Sequence, residues 1–262
     1  MLSTGKRVLE HPHLERAPVV EALIDFRVKP KLGLTAQDLA KIYDTIKGTY
    51  PTTKLISRLH AELHVEVKDG VAVGKEPARP TASATHMGFR YESKDGLYVM
   101  QAQLEGFTLS RLKPYERWES LIEESKKLWD LYVVIANPTS ITRVATRYIN
   151  RLEIPLPLKD FSEYLTVPPE MPEGSPQLVS EFLSRMVAHD PASGASMVFT
   201  QAMEGQQTSE NILPVILDFD VFKEGSFDVD SNSYWELLAK FRGLKNDAFF
   251  GSVTPKSLEL LK

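Results

Sequence analysis

The stretch ITRVATRYINRLEI, residues 141–154, most limits what this chain can fold into. Isoleucine, valine and threonine crowd a helical backbone but pack well on a pleated surface. The stretch is therefore expected to be one long strand, bounded by Pro155 and Pro157. Successive side chains on a strand point to opposite faces. Arg143, Arg147 and Arg151 then share one face, each about 13 Å from the next, while Tyr148 and Asn150 take the other. Such a strand suits an antiparallel sheet with one face packed and one face wet.

The remaining patterns supply that sheet. Residues 18–28 alternate, with Val20, Ala22, Ile24, Phe26 and Val28 opposed to Glu21, Asp25 and Arg27. Residues 59–67 alternate too, and 69–86 read as a loop. Runs at 88–91 and 97–104 flank Ser93-Lys94-Asp95-Gly96, a hairpin signal, and a strand of about 106–112 follows. Segments 181–189 and 195–203 flank a turn at 190–194, and 212–222 reads as a strand. Thr35 is placed to cap a helix over 36–47. Pro114 opens a helix to about Ala136, which Asn137-Pro138 ends. Ser233 and Glu236 form a capping-box pattern for a helix over 234–247, and Thr254-Pro255 starts a short last helix. The expectation is an α+β fold, mainly antiparallel sheet with two long helices packed on it. The order strand, helix, strands, long helix occurs in 1–138 and again in 139–262. Two topologically similar halves, a duplication packed as one unit, are expected.

Cysteine is absent, which excludes disulfides, thiolate metal sites and cysteine nucleophiles. No apolar run reaches about 18 residues, and the first residues lack the apolar centre of a secretory signal, so a cytoplasmic location without membrane contact is expected. The net charge is −4. Residues 1–155 carry 23 Lys and Arg against 19 Asp and Glu, or +4; residues 156–262 carry 8 against 16, or −8. This balance argues against nucleic acid as a partner; its asymmetry is expected mainly as solvated surface charge, and could also let the halves or two protomers attract each other. Phosphate-loop, dinucleotide-fold, nucleophile-elbow and zincin signatures are all missing, and no cofactor is expected.

Three constellations carry chemistry. The arginine row could hold an oxyanion, because a planar guanidinium binds carboxylate or phosphate through two parallel bonds. The same row could instead pair with Glu21 and Asp25, which repeat at matching spacing on another strand. Asp218 and Asp220, two apart on a strand, are a candidate magnesium or acid–base pair. His60, Glu62 and His64 alternate on one strand face as a weaker metal candidate, and His11-Pro12-His13 reads as a loose terminal segment. The aromatic residues Trp118, Trp129, Tyr234, Trp235, Phe249 and Phe250 sit at core spacing.

Four segments, APVVEALIDFRV (17–28), FTLSRLKPYERW (107–118), ITRVATRYINRLEIP (141–155) and ILDFDVF (216–222) followed by LKNDAFFGSVTPKSLELL (244–261), resemble a sporadically distributed family of uncharacterised bacterial proteins of about this length. The resemblance implies no activity. It singles out Glu21, Arg111, Pro114, Tyr115, Arg147, Tyr148, Asn150 and Asn246. Its patchy distribution is the kind seen in mobile defence genes. The functional expectation is a binding or assembly module, acting through a protein partner, a second copy of itself, or capture of an anionic small molecule. The alternative is an enzyme acting on a small molecule or nucleotide, with a site dispersed between the halves.

Overall fold

The computed structural model describes residues 11–62, 67–68, 71–72, 81–203 and 211–262, with side chains described for all of these except 60–62, 67–68, 71–72, 81 and 82. His64 and the side chains of His60 and Glu62 therefore lie outside the described residues. In chain order the strands are β1 (Val19–Lys29), β2 (Thr52–Glu62), β3 (Val67–Lys68), β4 (Val71–Ala72), β5 (Thr81–Glu92), β6 (Tyr98–Gln103), β7 (Gly106–Leu112), β8 (Ser140–Pro155), β9 (Leu183–Asp190), β10 (Ala195–Met203) and β11 (Ile212–Phe227). The helices are α1 (Ala36–Ala40), α2 (Ile42–Ile46), α3 (Trp118–Ala136), α4 (Ser233–Ser252) and α5 (Pro255–Glu259). Nine strands form one antiparallel sheet in the order β2-β5-β6-β7-β1-β8-β11-β10-β9, and β3 pairs with β4 separately. This is the mixed fold with a dominant antiparallel sheet that the alternating patterns predict.

The helices cover one face. Val144, Tyr148 and Leu152 of β8 are buried on that side with Ile24 and Phe26 of β1. Leu121, Leu128, Trp129 and Tyr132 of α3 join Tyr234, Leu238 and Phe241 of α4 in the main core. Trp129 Nε1 donates to Tyr234 Oη at 3.1 Å, so the two large polar aromatics enter the core with a mutual hydrogen bond. A second core gathers Leu152, Leu217 and Phe219 of the sheet with Phe249 of α4 and Val253. At Gly88 the sheet demands glycine: φ is +151°, and a Cβ there would lie 2.0 Å from the Ala102 carbonyl oxygen of β6.

The element boundaries differ from expectation where burial is one-sided or absent. β2 starts at Thr52 and not near 59, because residues 52–59 are mostly exposed and carry no apolar alternation. β5 begins at Thr81, inside the expected loop, for the same reason. The expected helix over 36–47 is two short helices meeting at Lys41, although Thr35 does cap the first in a reciprocal box with Asp38. α3 starts at Trp118, with Pro114 outside it, and ends as expected at Asn137 in the left-handed conformation. The Ser233–Glu236 capping box does not form; Asn232 takes the cap position without a side-chain bond. α4 runs on to Ser252 because Phe249 anchors its last turns in the second core.

β1 and β8 lie side by side at the centre of the shared sheet, with β7-β6-β5-β2 outward on one flank and β11-β10-β9 on the other. The halves are unequal. Among the described residues one contributes five strands to the sheet and the other four, and α1 with α2 follows β1, whereas the connection after β8 holds only a 3-10 turn at Phe161–Glu163. The sheet thus falls short of two matching units. Among the described residues no helix is long and apolar enough to cross a membrane.

Candidate functional site

The face away from the helices carries the arginine row. Arg143 bridges three strands: Nη1 donates to Asp25 Oδ2 on β1 at 2.9 Å and Nη2 to Asp220 Oδ2 on β11 at 2.8 Å. Arg147 forks onto Asp218, with Nε to Oδ1 at 2.8 Å and Nη2 to Oδ2 at 2.5 Å. Arg151 donates to Glu153 on its own strand. Ala145 is opposite Asp25, Arg147 opposite Asp220 and Ile149 opposite Asp218, so all three guanidinium groups lean toward the Pro155 end of β8. Asp25 Oδ1 accepts from Thr108 Oγ1 at 2.8 Å, and Arg27 Nε approaches Oδ2 at 3.3 Å. Glu21, expected to share in the pairing, forms no ion pair among the described residues.

These bonds line an open depression of about 520 Å³ whose walls include Gln101 and Gln103. Burial raises the Asp220 pKa, with Arg143 and then Arg147 opposing that shift. The Asp218 hydrogen bond raises the Arg147 pKa. The arginines and the Asp218–Asp220 pair do converge, but on each other. An anion would compete with three carboxylates for the guanidinium groups, and a cation would compete with two arginines for the carboxylates. Among the described residues no group of three histidine or carboxylate side chains is placed to hold a metal. The arrangement cross-links the middle of the sheet.

The covered side holds a different site. A cavity of about 250 Å³ opens between residues 11–19, the residues leading into α3 and the later turns of α4. Tyr148 and Asn150 rise into it from β8. Tyr148 and Tyr115 share a hydroxyl–hydroxyl hydrogen bond of 3.0 Å, and Asn150 Nδ2 donates to the Leu217 carbonyl at 3.0 Å. Arg242, Lys245 and Asn246 come from one side of α4, at helical spacing. Lys245 Nζ lies 3.8 Å from the centre of the Tyr148 ring. No carboxylate pairs with it among the described residues; the ring is its one charge-compensating contact there. Arg242 reaches Glu119 at 3.1 Å.

The segment before β1 closes the cavity. The ring of His11 stacks on Phe250 at 4.4 Å, nearly parallel, and His11 Nε2 is 2.8 Å from Asp247 Oδ1. This corrects the expectation of a loose end: His11 is anchored at two points on α4. Burial, followed by the neighbouring Arg242, brings the Lys245 pKa down to about 7 although the side chain keeps a partial opening to solvent. Burial pushes Tyr115 up to about 12 and Tyr148 well above its ordinary range, so both stay protonated at neutral pH.

Of the eight positions singled out by the resemblance, Tyr115, Tyr148, Asn150 and Asn246 line this cavity. Arg111 is buried against the Tyr98 ring at 4.9 Å, with Glu116 at 3.5 Å. Glu21 and Arg147 belong to the opposite face. Lys245 was missing from the expected site residues, yet the sequence carries a signal for it. Leu238, Phe241, Lys245 and Phe249 fall on one helical stripe, and the other three are buried. No family model and no curated protein matches the chain.

Proposed function

We propose that the protein is a binding module that captures a small anionic ligand in the cavity around Lys245. One observation carries the reading: an enclosed lysine lies against a tyrosine ring with no carboxylate partner among the described residues. Removing an ammonium from water without a counter-ion is costly, and an anion entering the cavity would offset that cost. Arg242 and Asn246 add donors on the same helix face. At about 250 Å³ the space is below the range of drug-sized pockets, which suits a compact carboxylate or phosphate compound. This reading moves anion capture from the arginine row, whose charges are met internally, to the helix-covered side.

Calorimetric titration with inorganic phosphate and with pyruvate tests it. Binding should appear with the wild-type protein, fall at least about tenfold in K245M, and persist in R147M. Absence of binding to both probes, or equal binding by K245M, would overturn it.

A second reading, assembly with another copy of the chain, is favoured by a separate observation. Among the described residues β9 is a sheet edge paired only with β10, and exposed Leu178, Leu183, Met186 and Val187 lie along or just before it. Natural sheets blunt such edges with lysine or proline, and residues 183–190 hold neither. An antiparallel partner strand would satisfy the edge and cover the apolar side chains.

A further inference from the structure

We propose that Lys245 is a carbonyl-reactive amine: the cavity accepts a small oxo acid, sets its carboxylate against Arg242, and lets Nζ form an imine with its carbonyl carbon. The inference rests on the cavity being the ligand site and adds a reaction to it. Three geometric facts support it. Nζ lies inside a small cavity and is tied to no carboxylate among the described residues. Arg242 is one helical turn away on the same wall and supplies a planar donor for a carboxylate. The Tyr115–Tyr148 pair spends only one of its two hydroxyl protons on the 3.0 Å bond, and its second is free to point toward a ligand oxygen.

The chemistry needs a neutral amine, because only the lone pair is nucleophilic. A lysine brought down to about 7 holds a substantial neutral fraction near neutral pH, where an ordinary one at 10.5 holds almost none. Charged and titratable groups line the cavity around it on every wall: Arg242 on α4, Glu116 and Arg117 just before α3 and Glu119 in its first turn, the two tyrosines, and His11 with His13. In the reaction the lone pair attacks the carbonyl carbon, a C–N bond forms, and the carbonyl electron pair moves to oxygen. That oxygen takes a proton from the free tyrosine hydroxyl, while the nitrogen sheds one of its own back to the tyrosine pair. The tyrosine hydroxyl then protonates the carbinolamine oxygen, which leaves as water while the nitrogen lone pair closes the C=N bond, and the resulting iminium returns its N–H proton to the tyrosine pair. One water leaves, nothing is oxidised, and no metal is required.

The experiment is reductive trapping on the full chain. Wild type, K245R and K245M are incubated with pyruvate and sodium cyanoborohydride, and intact mass and peptide mapping are recorded. The wild type should gain the mass of one pyruvate less one oxygen atom, mapped to Lys245, at a rate at least about tenfold above any other lysine. K245R and K245M should lose that labelling, and R242Q should slow it about tenfold or more with pyruvate but by a clearly smaller factor with acetaldehyde, which has no carboxylate and feels only the smaller neutral fraction of the amine once Arg242 is gone. Thermal melts of each variant establish that it is folded. Labelling scattered over many lysines, or unchanged in K245R, overturns the proposal. Phosphate binding separates the two readings: a wild type that binds phosphate but traps no pyruvate refutes the imine and leaves anion capture standing, whereas a wild type that does neither refutes both.

Discussion

Replacing Arg143 by methionine tests the cross-link at the centre of the sheet. The substitution keeps the apolar stem but removes the charge that lies between Asp25 and Asp220. The three side chains are 20%, 10% and 25% exposed, so solvent screening is modest. Removing one partner from a buried ion pair costs about 3–5 kcal/mol, mostly as the penalty of the stranded charge. The residual exposure places this case near the lower end, about 3 kcal/mol. For a chain of this size that lowers the melting temperature by roughly 6–12 °C. The sign of the pH dependence follows from Asp220. Its folded pKa already stands above the ordinary carboxylate value through burial, and without Arg143 it climbs further. A raised carboxylate pKa imposes its full penalty above the folded value and none below the unfolded value of about 3.9. The stability gap between R143M and wild type should therefore be widest at pH 7 and shrink as pH falls toward 4. Urea denaturation at pH 7, 5.5 and 4.5 measures it. Adding D25N and D220N to R143M should recover more than half of the loss, since the one charge then left unpaired, Arg27, is exposed. A gap below about 1 kcal/mol at pH 7, or one that widens on acidification, would refute the reasoning.

Two further outcomes follow. G88A should lose at least about 3 kcal/mol in urea denaturation, since its Cβ would strike the Ala102 carbonyl and φ is +151°, while G48A, with open space around it, should stay within about 0.5 kcal/mol. V187K places a charge on the β9 edge: light scattering should show concentration-dependent association of the wild type and none of V187K, and equal masses for both at every concentration would exclude the edge as an interface.

What was readable from sequence divides along burial. β1, β7 and β8 lie at the sheet centre with one buried face, so their alternation is strong and the expected strands match. The first seven residues of β2 and the start of β5 are largely exposed, and their sequence carries no period to read. The arginine row was visible because alternation alone fixes which side chains share a face. Its partners were not, since the adjacency of β8 to both β1 and β11 is a property of topology. Asp25 faces the row, as its matching spacing predicts; Asp218 and Asp220, by sequence a candidate site of their own, complete it. The helix-side cavity assembles four separate segments; the lysine interrupting an apolar stripe and four of the positions singled out by the resemblance point toward it, but nothing in the sequence brings them together.

The central seam has a consequence for how the chain matures on the ribosome. β1 emerges early, but one of its two edges stays open until β8 has been made, and Asp25 meets Arg143 only after 118 further residues. At translation speeds of roughly 5–20 residues per second, that wait lasts about 6–24 s. Throughout it a nascent chain presents a raw strand edge carrying an unmatched acid. Expressed without the remainder, residues 1–138 would hold that state permanently, which makes such a fragment a target for chaperones and aggregation and marks this sheet as one that closes late.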